Sequence, residues 1–215
     1  MTQIYLVRHG QTAWNKEEIF RGRSDVPLND TGFREAQLAA EFFREREIRA
    51  IYSSPLLRAS QPADKISAVL SLKVVPLEGI IDMSFGTWEG RPLREIEASD
   101  SDRFMLWREK PHRLKLPGGE SLDEVRERSM AALESVIRRH GDEIVIMVTH
   151  RVINKVILCA ILGLDNSHFW QMSQDTTAIN LIQYRHGKYT LSLMNESCHL
   201  KPLLSECGAP AARKN

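Results

Sequence analysis

Two short apolar runs, far apart in the chain, both lead to a histidine. Residues 3–7 (QIYLV) pass through Arg8 to His9, and residues 143–149 (EIVIMVT), the strongest strand signal in the sequence, run directly into His150. Neither run alternates apolar with polar residues, so each reads as a strand buried on both faces. Such strands require helices above and below them, and the intervening sequence supplies candidates. Residues 32–46 carry Ala36, Ala39, Ala40 and Phe43 on one helical stripe, and AIYSS predicts a strand at 50–53. Ser54 reads as an N-cap and Pro55 as a first-turn proline, opening a helix that contains Arg58. Pro62 lies inside that helix and predicts a kink or break, since an interior proline costs about 3 kcal/mol. Residues 73–76 predict a third strand, and 78–118 are irregular with helical pieces near 92–98 and 101–109. Ser121 and Glu124 form a capping box at the start of a helix ending near Gly141. A further helix follows His150, buries Val152, Ile153, Val156 and Ile157, and stops at Gly163. Two last strands, about 178–185 and 189–194, flank a His-Gly-Lys turn.

This alternation predicts an α/β fold with a mostly parallel central sheet and helices on both faces. One domain over residues 1–203 is expected, with a disordered tail over 204–215. Lys plus Arg number 29 and Asp plus Glu number 28, so no global basic field draws the chain to nucleic acid. Any anion binding must come from a local cluster. Cys159, Cys198 and Cys207 are odd in number and widely spaced without a CxxC pair, which argues against a disulfide framework and a zinc knuckle. The N-terminus lacks the pattern of a signal peptide, and no apolar run approaches the roughly 18 residues of a membrane span. The expected location is the cytoplasm.

In an open α/β sheet the ligand crevice lies outside the carboxyl ends of the strands. His9 and His150 are therefore delivered to one edge, with Arg8 beside the first. Arg58, in the first turn of its helix, points back toward that edge because helical side chains tilt N-terminally. Two imidazoles and two guanidiniums around one point would make an anion pocket suited to phosphoryl transfer, which depends on positioning and on stabilising charge spread over phosphoryl oxygens. A neutral imidazole is a competent nucleophile toward phosphorus, and a carboxylic acid nearby would protonate the leaving alkoxide. Blander readings stand beside this one: a structural histidine, a surface Arg8, or an Arg58 that simply pairs with an acid. A zinc site would need a third ligand at short spacing, and neither HxxxH nor HExxH occurs. No metal or other cofactor is expected.

The segment Leu6-Val7-Arg8-His9-Gly10-Gln11-Thr12-Ala13-Trp14-Asn15 resembles the signature of the histidine phosphatase, or phosphoglycerate-mutase-like, superfamily. The resemblance continues in order through Phe20-Arg21-Gly22, Asp25-Val26-Pro27-Leu28, Tyr52 to Ala59, Phe85 to Gly90, Pro117 to Ser121 and Val148-Thr149-His150. It implies a three-layer sandwich in which His9 is phosphorylated, Arg8, Arg58 and His150 hold the phosphoryl group, and Asn15 adds a hydrogen bond. Gln11, Thr12, Arg21 and Gly22 would line the substrate mouth. The family's proton donor is usually Glu; Asp82 stands at that position and is one methylene shorter. Pro62 departs from the pattern where Thr is common.

Phosphoglycerate mutases of this family are typically longer, with an extra central segment over the active site, so the compact middle of this chain favours hydrolysis. Trp107 to His112, Gly118 to Leu122 and Cys198-His199-Leu200 resemble bacterial metal-independent phosphoserine phosphatases. Phe85 stands where such enzymes often carry His, and Phe cannot hydrogen-bond a polar substrate. The expected substrate is a small phosphorylated metabolite such as phosphoserine. α-Ribazole or broad-specificity phosphatase, mutase and non-catalytic phospho-ligand binder are the alternatives. Arg21 and Arg23 are candidates for a substrate carboxylate, and Cys198 and His199 would approach the pocket if the C-terminal segment folds back. Phe169, Trp170 and Met172 form a candidate homodimer patch.

Overall fold

The computed structural model describes residues 1–206. In chain order the elements are β1 (Thr2–Arg8), α1 (Ala13–Lys16), α2 (Asp30–Phe43), β2 (Ile48–Ser53), α3 (Leu57–Leu70), β3 (Val74–Pro76), α4 (Leu93–Ser99), α5 (Ser101–Glu109), α6 (Leu122–Arg139), β4 (Ile144–Thr149), α7 (Arg151–Ile161), β5 (Ile179–Arg185), β6 (Lys188–Glu196) and α8 (Lys201–Glu206). The strands form one sheet in the order β3-β2-β4-β1-β5-β6. The first four in that order are mutually parallel, and β5 and β6 close one edge antiparallel. This is the mostly parallel α/β sandwich expected from the sequence.

The period-2 geometry of a strand explains why apolar runs were needed. In β1, Ile4 and Leu6 enter the core beneath α6 and α7, whereas Tyr5 and Val7 enter the core beneath α2 and α3. In β4, Val145 and Met147 face the first core and Ile146 and Val148 the second. Fully burying one such side chain stabilises by about 1.5–3 kcal/mol, so the strand faces carry much of the fold. The capping box at Ser121 forms as read: Ser121 Oγ accepts from the Glu124 amide, and the Glu124 carboxylate accepts from the Ser121 amide.

Two expectations need correction. Ser54 does not cap α3; the helix begins at Leu57 after Leu56, and the Leu57 N–H donates instead to Asp25 Oδ1 at 2.7 Å. Ser54 is engaged elsewhere, as shown below. Pro62 does not break α3, which runs through it to Leu70. The proline forfeits one bond to the Arg58 carbonyl, and burial of Ala59, Ala63 and Ile66 along the same stripe outweighs the loss. The expected tail overlaps the end of α8, and residues 207–215 lie outside the described residues.

Candidate active site

β1 and β4 are adjacent and parallel, with Arg8 opposite Thr149. His9 and His150 therefore leave the same sheet edge side by side, their rings 5.3 Å apart between centroids. The His9 backbone is pinned on both sides: its N–H donates to the Thr149 carbonyl at 2.9 Å, and its carbonyl accepts from the Thr177 N–H at 3.2 Å. The chain then turns through Gly10, where a Cβ would stand 2.8 Å from the Gly32 carbonyl oxygen, so only glycine fits.

The His9 ring is fully buried, and its Nδ1 lies 2.7 Å from the Gly10 carbonyl. A carbonyl accepts only, so Nδ1 carries the proton and Nε2 keeps a bare lone pair. Nε2 has no protein partner. Burial, reinforced by Arg8, His150, Arg58 and Arg21, holds the His9 pKa well below the ordinary imidazole value. The ring is neutral at pH 7.

His150 is also fully buried, with Nε2 2.7 Å from Ser54 Oγ. Nδ1 faces the Asp82 carboxylate, which only accepts, so the ring proton sits on Nδ1 and Nε2 accepts from the Ser54 hydroxyl. Nδ1 lies 3.5 Å from Asp82 Oδ2 without a hydrogen-bond partner. Burial pushes the His150 pKa down to about 3, with Arg58 and Arg21 adding to the shift against the opposing pull of Asp82.

Asp82 Oδ2 accepts from Arg58 Nη2 at 2.9 Å, and Oδ1 accepts from the Met83 N–H at 3.0 Å. Burial raises its pKa, but the neighbouring His150 ring, the Arg58 guanidinium with its hydrogen bond, and Arg21 outweigh that and leave it below the usual carboxylate value. The shorter side chain reaches the site through backbone placement. Arg128, on α6, donates to the carbonyls of Gly79, Ile81 and Asp82 at 3.0, 2.7 and 3.2 Å, while Glu120 grips its other edge. Arg58 is fully buried and further fixed by the carbonyls of Gly22 and Ser24 at 2.6 and 2.8 Å.

Arg8 Nη1 donates to the Gln174 carbonyl at 2.6 Å, and its Nε is buried without a partner. Burial, then repulsion from Arg151 and Arg21, lowers the Arg8 pKa to about 9. A cavity of about 650 Å³ adjoins this cluster at Asp82 and Arg151. Asn15, Arg21, Gly22 and Phe85 also line it, whereas His9, Arg8, Arg58 and His150 are buried behind it and are not among its lining residues. The Asn15 oxygen is committed to the Thr12 amide and hydroxyl at 2.9 Å, which leaves its NH₂ for the cavity. Phe85 packs edge-on against Phe20 and Trp107, making an apolar wall.

Other expected contacts do not form. Thr12 is buried beneath Asn15, and the Gln11 side chain accepts from Asn29; neither residue lines the cavity, because this turn spends its polar groups on holding its own shape. Arg23 pairs with Glu120 at 3.3 Å. His199 stacks near Phe42 of α2, 5.8 Å between ring centroids, so the Cys198-His199 segment packs on the helical face and not at the cavity. Phe169 and Met172 are buried, and only Trp170 of the candidate dimer patch is exposed, because the segment folds onto Trp107 and α7.

Sequence reading missed Ser54 as the partner of His150, Arg128 as the strut behind Asp82, and Arg151 on the cavity wall. Arg151 follows His150 in the first turn of α7, the same position logic that identified Arg58. Buried Glu35 was also missed: it ties the Gln11 N–H at 2.7 Å to the Thr176 hydroxyl at 2.6 Å. Among the described residues, no group of three His, Cys, Asp or Glu side chains is placed to hold a metal ion. No helix among them is long and apolar enough to cross a membrane.

Comparison with known proteins places this geometry among relatives. Residues 4–197 match the model of the histidine phosphatase superfamily, branch 1. Phosphoserine phosphatase 1 of Hydrogenobacter thermophilus is 33% identical over 200 residues, covering 93% of this chain and 95% of the relative. Among solved structures, YhfR of Bacillus stearothermophilus superposes with a TM-score of 0.90 at 28% identity, over 93% of this chain and all of the other. A phosphoserine phosphatase variant from Entamoeba histolytica, solved in complex with phosphoserine, superposes at 0.84 with 26% identity and the same coverage.

Proposed function

Because the chain belongs to the histidine phosphatase superfamily, branch 1, we propose that it hydrolyses small phosphomonoesters through a phosphohistidine at His9 Nε2. One observation carries this reading: the Gly10 carbonyl holds the His9 proton on Nδ1, so the buried, unpartnered Nε2 presents its lone pair. In the first step Nε2 attacks phosphorus, the ester P–O bond breaks, and the leaving alkoxide takes a proton from Asp82. In the second, Asp82 removes a proton from water, the water oxygen attacks phosphorus, and the P–N bond breaks to return His9 and release phosphate. Arg8, Arg58 and the His150 Nδ1–H stabilise the phosphoryl oxygens as charge builds on them. Neutrality of His9 and His150 matters differently in each case, the first to attack and the second to donate.

Phosphoserine is a candidate substrate, supported by the names of the relatives and by the arginines of the cavity wall. We expect cytoplasmic action on a soluble metabolite. The test is hydrolysis of p-nitrophenyl phosphate in EDTA, with turnover of a ³²P-labelled ester quenched in alkaline detergent, where a phosphohistidine survives. Labelled protein that His9→Ala does not form supports the mechanism. Hydrolysis that persists in His9→Ala excludes His9 as the nucleophile. Transfer between 3- and 2-phosphoglycerate without hydrolysis would make the enzyme a mutase.

A further inference from the structure

We propose that Glu35 is the positioning residue of His9, acting through the single peptide group that joins Gly10 to Gln11. The proposal rests on the phosphatase reading and says what prepares its nucleophile. The Gly10 carbonyl takes the His9 Nδ1 proton at 2.7 Å. The N–H of the same peptide unit, on Gln11, donates to Glu35 Oε2, also at 2.7 Å. A peptide group is planar and trans, so its C=O and N–H point in opposite directions. Holding the N–H on a carboxylate therefore fixes where the carbonyl points. Glu35 is itself buried on α2, and its Oε1 accepts from the Thr176 hydroxyl at 2.6 Å, which ties the acid to the segment before β5. The backbone is shaped to admit this contact. A Cβ on Gly10 would stand 3.2 Å from Glu35 Oε2, and a Cβ on Gly32, one turn before Glu35, would collide with the Gln11 carbonyl.

The bonds between β1 and the segment leading into β5 last grip the chain at His9, whose carbonyl accepts from the Thr177 N–H at 3.2 Å. The next peptide lies beyond the sheet, and Glu35 holds it there. Without that hold a peptide beside glycine is free to turn, and a turned carbonyl no longer decides which ring nitrogen keeps the proton. A proton on Nε2 removes the lone pair that attacks phosphorus. Electrostatics act in the same direction. The ring gains positive charge as Nε2 bonds phosphorus. The two hydrogen bonds run head to tail through the amide, so each polarises the other and the negative charge of Glu35 is felt at the ring. A carboxylate that orients a catalytic histidine and stabilises its imidazolium usually touches the ring. Here one amide stands between them. Both Glu35 oxygens accept, so the site holds the carboxylate; burial pushes its pKa up against the bonds from Thr176 and Gln11 and the charge of Arg8. Arg8 feels the same carboxylate, so removing Glu35 leaves the phosphate floor more positive. Phosphate should then bind no more weakly while the chemical step slows, a split that a merely structural acid would not produce.

The experiment reads the His9 tautomer in the resting protein by long-range ¹H–¹⁵N correlation of histidine-labelled chain, with the His9 signal assigned by its loss in His9→Ala. The unaltered protein should carry the proton on Nδ1. Glu35→Ala should populate the Nε2–H tautomer and lower kcat for p-nitrophenyl phosphate by about 10²-fold, the scale of a misplaced reacting group, without raising KM or weakening inhibition by inorganic phosphate. Glu35→Gln can keep both links, with its Oε1 accepting from Gln11 and its Nε2 donating to the Thr176 hydroxyl. It should retain the Nδ1–H tautomer, with kcat between those of the unaltered protein and Glu35→Ala. Thr176→Val loosens the same acid without changing its charge and should move both readouts in the same direction by less, which keeps the test decisive if Glu35→Ala does not fold. An unchanged tautomer and kcat in Glu35→Ala, or a loss confined to melting temperature or KM, makes Glu35 an acid of the fold alone and overturns the proposal. The tautomer is read without turnover, so failure of the unaltered protein to release nitrophenol counts against the phosphatase reading and is recognised as such.

Discussion

Asp82→Asn isolates the proposed acid with little change of shape. The amide is isosteric with the carboxylate, and Arg58 keeps its bonds to the Gly22 and Ser24 carbonyls at 2.6 and 2.8 Å, so the phosphate floor stays in place. What is lost is the proton that Oδ2, 3.5 Å from His150 Nδ1, delivers to the leaving oxygen. General acid catalysis is worth roughly 10²–10⁴ in rate, or about 3–5 kcal/mol of barrier. An alkyl phosphate, whose alkoxide is strongly basic, should lose that full factor, whereas p-nitrophenyl phosphate should lose about tenfold or less. The lowered pKa of Asp82 adds a second signature. Near neutral pH the empty site holds the carboxylate deprotonated, so the catalytic proton must arrive with the substrate monoanion. kcat/KM for alkyl phosphates should therefore fall as pH rises through the substrate's second ionisation at about 6. Steady-state kinetics on both substrates from pH 5 to 8 supply the test. Equal losses for the two leaving groups in Asp82→Asn would remove Asp82 from the acid role.

Arg128→Leu should copy part of that leaving-group dependence, because it releases the carbonyls of Gly79, Ile81 and Asp82 that hold the acid forward; an equal effect on both substrates would count against the strut. Ser54→Ala strips His150 Nε2 of its partner, and leaving a buried polar nitrogen unsatisfied should cost about 1–3 kcal/mol in urea unfolding. Stability should also fall with acidification. The His150 pKa is about 3 when folded and about 6.5 when unfolded, so between those values the unfolded state binds the extra proton. Its contribution is intact above pH 6.5 and declines by about 2 kcal/mol at pH 5, with His9 acting in the same direction; urea midpoints at pH 7.5 and 5.0 check the sign.

Much of this protein is written locally. The apolar runs at β1 and β4, the capping box at Ser121 and the alternation of strands with helices dictate the layers, because periodicity and capping depend on neighbours a few residues away. His9, Arg8, Arg58 and His150 were legible for a related reason: each sits at a strand end or in a first helical turn, where the fold class alone sets the edge it reaches. What the sequence could not decide were contacts between segments with no local signature. Ser54 reads as a cap because serine before a helix usually is one, yet it serves a histidine 96 residues away. Gln11 and Thr12 belong to the motif but spend their hydrogen bonds on the turn, and Arg128 reaches the acid loop 46 residues upstream. Phe169 and Met172 look like a sticky surface in isolation and prove to be core. A side chain's partner is chosen by packing in three dimensions, and that choice is absent from any window of the chain.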